Sequence, residues 1–96
     1  MGSLSKTSKH VDIWKADGFD DAVIGVSFNN GCPRIVYDSE IMISILRDQE
    51  DMSYDDAIEH LEHNTFHTWM GEGTPIYIMP VTSMDDANEI IADLME

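Results

Sequence analysis

From residue 22 to residue 28 the chain alternates. Ala22, Ile24, Val26 and Phe28 interleave with Val23, Gly25 and Ser27, the two-residue period of a strand with one continuous apolar face. Asn29-Asn30-Gly31 follows and predicts a hairpin turn, because Asn and Gly tolerate positive φ. Cys32-Pro33 suits a strand edge, where a missing N–H costs little. Ile35, Val36 and Tyr37 build the return strand, Arg34 to Tyr37.

The period then lengthens. Asp38 or Ser39 can cap a helix from Glu40 to about Gln49. Ile41, Met42, Ile43, Ile45 and Leu46 make that helix apolar on more than one face. A surface helix shows one stripe, so this one is either sandwiched between a sheet and a second helix or part of an oligomer interface. Ser53-Tyr54-Asp55-Asp56 resembles a capping box at the start of the next helix. Ala57, Ile58, Leu61, Thr65 and Trp69 share its core face at helical spacing, and Gly71 is its stop. A third strand runs from Ile76 to Val81, with Pro80 marking an edge or an end. Ser83 starts a last helix with the apolar stripe Ile90, Ile91, Leu94 and Met95.

This order, β-β-α-α-β-α, predicts an α+β fold: a three-stranded, mainly antiparallel sheet with helices packed on one face. The third strand is free to join either edge. Residues 1–15 show no clean periodicity. They are expected to form a flexible N-terminal arm, with Trp14 placed to dock its end, ahead of a single acidic domain over residues 16–96.

Charge changes the picture. Nineteen acids face five bases, a net −14. Lys6, Lys9 and Lys15 against Asp12 leave residues 1–16 at +2, while residues 17–96 carry only Arg34 and Arg47 as cations and sit at −16. Such a body repels nucleic acid, whose phosphates need Lys and Arg, and repels anionic membranes. It suits a partner with a basic groove, and it also serves solubility. No apolar run approaches the roughly 20 residues that span a bilayer. The polar start lacks a secretory core and the single Cys32 fits a reducing compartment, so a cytoplasmic location is expected.

Few residues offer chemistry. His60, His63 and His67 fall within about 60° of one another on a helix, opposite Leu61 and Thr65. His63 and His67, with Glu59 one turn earlier, could share a metal ion. No cysteine or second carboxylate cluster is placed to complete that site, and a solvated histidine face accounts for the spacing. Cys32 beside Pro33 has neither a base nor a helix N-terminus to activate it, which leaves a structural thiol. Gly71-Glu72-Gly73-Thr74-Pro75 lacks the lysine and the flanking elements of a phosphate loop. It reads as a turn into the third strand, or as a partner-binding loop. Asp48, Glu50, Asp51, Asp55 and Asp56 lack the calcium-loop spacing, so capping and solvation explain them. Met42, Met79, Met84 and Met95 lie in apolar stripes as core filler, with Met70, Met84 and Met95 the strongest interface candidates. Trp14, Phe66 and Trp69 are possible interface anchors, and helical spacing puts Phe66 off the core face.

Several pieces in order resemble a family of small proteins carried by tailed bacteriophages, including phages of cyanobacteria. They are Gly18-Phe19-Asp20-Asp21-Ala22-Val23-Ile24-Gly25, Val36-Tyr37-Asp38, Met52-Ser53-Tyr54-Asp55-Asp56-Ala57-Ile58-Glu59, Asn64, Trp69 and Gly71 to Pro75. The likeness spans about residues 17–78. It implies a phage origin and an accessory role, and it brings no activity and no catalytic residues. The chain departs from the pattern at His63, Phe66, His67 and Thr68, so the resemblance assigns the histidines no role.

The expected function follows from a small domain without a convergent catalytic set. It is a non-enzymatic, cofactor-free accessory protein that binds and modulates a host protein. The contact surfaces are Asp55, Asp56, Glu59 and Glu62 on the second helix, with Phe66, Trp69 and Glu72 in the segment after it. A homodimer through Ile43, Leu46 or the last helix is a further expectation. The alternatives are an acidic nucleic-acid mimic that occupies the groove of a host nuclease or DNA-binding protein, and a metal-binding protein using His60, His63 and His67.

Overall fold

The computed structural model describes residues 1–29 and 31–96. In it, the segment expected to be a flexible arm is a hairpin: β1 (Leu4–Ser8) pairs antiparallel with β2 (Val11–Ala16). The reason lies in backbone polarity, not in apolar alternation. The Gly2 amide donates to the Asp17 carbonyl at 3.0 Å, and the Asp17 amide donates to the Ser3 carbonyl at 2.9 Å. From β2, the Trp14 amide reaches the Gly73 carbonyl at 3.0 Å. A Cβ on Gly73 would overlap the Asp12 carbonyl oxygen, so only glycine permits this approach. Lys6 pairs with Asp12 at 2.8 Å and lies over the Trp14 ring, 5.8 Å from its centroid.

The expected order begins after this hairpin, and the fold is α+β. β3 (Val23–Ser27) pairs antiparallel with β4 (Arg34–Asp38), in register through Val26↔Ile35 and Ser27↔Arg34. β5 (Ile76–Ile78) joins the far side of β4 in parallel, so β4 is central and the sheet is mixed. β5 ends two residues before Pro80. At the β3–β4 turn Gly31 has φ +85°, and Asn30 lies outside the described residues. Ala22 belongs to a 3-10 turn, Asp20–Ala22, and is the buried end of the apolar series. The rest of that series does not face the core: Ile24, Val26 and Phe28 are exposed, and so is the interleaved Val23. β3 is an edge strand of its sheet, with β4 as its one strand neighbour among the described residues.

Helix α1 (Ser39–Gln49) starts where the Asp38 carboxylate accepts the Glu40 and Ile41 amides, at 2.9 and 3.2 Å. α2 (Tyr54–Leu61) starts where Ser53 Oγ accepts the Asp56 amide at 3.2 Å. α3 (Met84–Leu94) uses Ser83 and the Asp86 amide in the same way, at 3.1 Å. α1 packs against α2 and β4. It buries Met42, Ile43 and Leu46, so the sandwich accounts for its apolar faces. Leu46 is fully buried and thereby unavailable to the homodimer contact expected of it, while Ile43 is buried but for an edge that lines a groove beside α3.

These side chains form one core with Phe19, Ala22, Tyr37, Ala57 and Leu61. Tyr37 joins the two sheets, its hydroxyl accepting the Ala16 amide at 2.8 Å.

The second helix does not run regularly to Trp69. A π-helical turn occupies Glu62–Phe66 and the helix ends there. A π turn holds an extra residue, so side chains beyond it fall on different faces from those an α-helix would give. Phe66 turns inward, tilted against Tyr77 with ring centroids 5.0 Å apart. Trp69, expected on the core face, is 66% exposed.

Candidate functional site

α3 carries Ile90, Ile91 and Leu94, yet none of its residues is buried. Its apolar stripe faces the body of the protein across an open groove of about 640 Å³. Ile43 of α1, Ile58 of α2, Phe66 of the π turn, Tyr77 and Ile78 of β5 and Met79 just after it line the body side, and Ala87, Ile90, Ile91 and Leu94 line the α3 side. The size falls within the roughly 300–1,000 Å³ of ligand and peptide-receiving clefts. The segment through Pro80 to Ser83 joins β5 to α3.

The rim is anionic. Glu40 and Glu62 border the groove. Tyr54, also on its wall, donates its hydroxyl proton to Glu40 at 3.4 Å. Burial, followed by the neighbouring Glu40 and Asp55 carboxylates, raises the Tyr54 phenol above its ordinary value. α3 adds Asp85, Asp86, Glu89 and Asp93 and carries no cation. Inside the groove wall the polarity changes. Tyr77 is held well above its ordinary range, first by burial and then by Tyr37, with Arg34 opposing. Its hydroxyl, like that of buried Ser39 on the same wall, has no hydrogen-bond partner among the described residues. A buried orphan of this kind costs about 1–3 kcal/mol.

Of the residues singled out from sequence, the groove gathers Glu62, Phe66 and His67. Asp55, Asp56 and Glu59 stand exposed on α2 and do not line it. Trp69 lies outside it, with the Arg34 guanidinium 5.6 Å from its ring centroid, and Glu72 is an exposed loop residue. Tyr54, Ile58, Tyr77, Ile78 and Val81 were not expected in a site. The available signal was the apolar stripe of the last helix, whose counterpart on the body comes from segments far apart in sequence.

The histidine row comes apart. His60 is half-buried and its Nε2 donates to the Met1 carbonyl at 2.9 Å, tying the chain start to α2. His63 is exposed, 4.0 Å from Glu59, and His67 sits at the groove. Among the described residues no three His, Cys, Asp or Glu side chains come together as metal ligands would. Cys32 Sγ is a free thiol 3.7 Å from the Pro33 carbonyl.

The Gly71–Pro75 loop is occupied internally. Thr74 Oγ1 accepts the Met70 amide at 2.8 Å and donates to the Gly71 carbonyl at 2.6 Å. Arg34 Nε donates to the Thr74 carbonyl at 2.5 Å and its Nη2 to that of Pro75 at 3.4 Å. No described helix is long and apolar enough to cross a membrane.

No family model, no curated protein and no solved structure matches this chain.

Proposed function

We propose that this protein works by binding and has no reaction of its own to catalyse, and that the groove between α3 and the body receives a cationic amphipathic segment of a partner protein. The observation that carries the reading is an apolar helix stripe with no buried residue, set across a groove from a second apolar wall. Apolar side chains of the partner would fill the groove, as in helix-in-groove recognition. Its Lys and Arg residues would meet Glu40, Glu62 and the carboxylates of α3. Charge selects this occupant over a second copy of the chain, which would bring another −14 to an acidic rim. Asp55, Asp56 and Glu59 on the adjacent face of α2 extend the field that steers the partner in. The likeness to small phage proteins makes the partner a host protein and this chain an accessory that modulates it.

The test is a calorimetric titration with a designed Leu/Lys helical peptide. Leu94 is 66% exposed, so Leu94→Glu leaves the core untouched while it adds negative charge. If the apolar groove holds the peptide, this variant binds at least about tenfold more weakly, a loss near 1.4 kcal/mol. Equal or tighter binding by Leu94→Glu would mean that charge alone attracts the peptide, and the reading would fail.

A further inference from the structure

We propose that the free edge of β3 pairs antiparallel with β3 of a second copy, joining two three-stranded sheets into one of six strands. The proposal is independent of the groove and rests on other residues. β3 has β4 on one side only. Along it Val23, Ile24 and Val26 stand exposed, and Phe28 stands exposed just past its end, Val26 at 60% and Phe28 at 82%. Native edge strands are protected by charges, proline, bulges or a covering element. From Ala22 to Asn29 this one has no charge and no proline. Its one protection is the register shift between Val23 and Gly25, which leaves Gly25 onward regular.

The strand itself fits a second copy of this chain, because it is neutral from Ala22 to Asn29 and pairs with its own sequence in an antiparallel register. Two bodies at −14 repel, so they meet with least repulsion where neither presents a carboxylate. β3 is such a place. β5, the other edge, is three residues long and stops short of Pro80. α3 is lined with carboxylates. An antiparallel pairing centred on Val26 sets Ile24 of one copy opposite Phe28 of the other, a β-branched–aromatic cross-strand pair. It also sends Asp20 and Asp21 of the two copies to opposite ends. At about 3.3 Å per residue they lie on the order of 30 Å apart, far beyond the roughly 8 Å Debye length at physiological salt.

Sedimentation of the full chain tests this. The expected result is a monomer–dimer equilibrium that shifts toward dimer as salt rises, since screening removes the residual repulsion. Val26→Lys and Phe28→Lys, both at exposed positions, should each give a monomer with an unchanged circular-dichroism spectrum. Ile91→Glu in the groove should leave the dimer intact. A Cys32→Ser, Val26→Cys double variant should form a disulfide-linked dimer on oxidation, because the symmetric register places the two residues 26 side by side. A wild-type chain that stays monomeric at high salt would overturn the proposal. So would a dimer that survives both lysine changes, or one that dissociates as salt rises.

Discussion

Two surfaces of this molecule leave apolar side chains in solvent, and they differ in what surrounds them. The groove sets Ile90, Ile91 and Leu94 against Ile58 and Phe66 beneath a rim of carboxylates. The β3 edge exposes Val26 and Phe28 in a stretch without a single charge. Apolar area supplies the drive in both; charge decides who can approach. A rim of one sign favours a partner of the other sign and disfavours a second copy. A neutral strand in an acidic protein is the place where two copies meet with least repulsion.

The largest expected effect separates the surfaces by mutation. Ile91→Glu combined with Leu94→Glu should weaken binding of a cationic amphipathic peptide about a hundredfold, near 2.7 kcal/mol, and leave self-association through β3 unchanged. Calorimetry and sedimentation on one preparation would show whether the two sites are separate. A change distant from both should act on stability alone. Gly73→Ala places a Cβ against the Asp12 carbonyl, and should lower the unfolding free energy by about 1–3 kcal/mol in denaturant titrations.

Salt should move the two associations in opposite directions. Raising it from about 0.05 to 0.5 M, where screening shortens to a few ångströms, should weaken the groove complex about tenfold and strengthen the β3 contact. If both weaken, the neutral-edge explanation is wrong.

The smallest effect concerns the wall of the groove. Burial raises Tyr37 and Tyr77 above the ordinary value of 10.0. Their protonated forms therefore support the fold fully below about pH 10, and that support is lost as pH rises through the folded-state values. Tyr77→Phe removes a hydroxyl without a partner. It should leave stability at neutral pH unchanged or up to about 1 kcal/mol higher, and flatten the alkaline decline followed by tyrosinate absorbance.

Legibility from sequence followed the range of the interactions. Caps at Asp38, Ser53 and Ser83 depend on side chains within three residues of the amides they accept, and each is present. The β3–β4 pairing is short-range too, and alternation plus Asn-Asn-Gly foretold it. The first hairpin was not legible, because long-range backbone contacts hold it. Gly73 accepts from Trp14, and the Thr65 hydroxyl donates to the Gly2 carbonyl at 3.0 Å. Nor could a period of 3.6 residues reveal the π turn, which exchanged the expected places of Phe66 and Trp69. The groove was half legible. The stripe of α3 was plain, but its opposite wall comes from α1, α2 and β5, which only folding brings together.

The most direct measurement is backbone-amide NMR of the full chain during titration with the cationic amphipathic peptide. Saturable shifts concentrated at Ile58, Tyr77 to Met79 and Ile90 to Leu94, with Gly25 to Phe28 unmoved, are the predicted result. Shifts spread evenly over the acidic helices, with no focus on the groove, would contradict it.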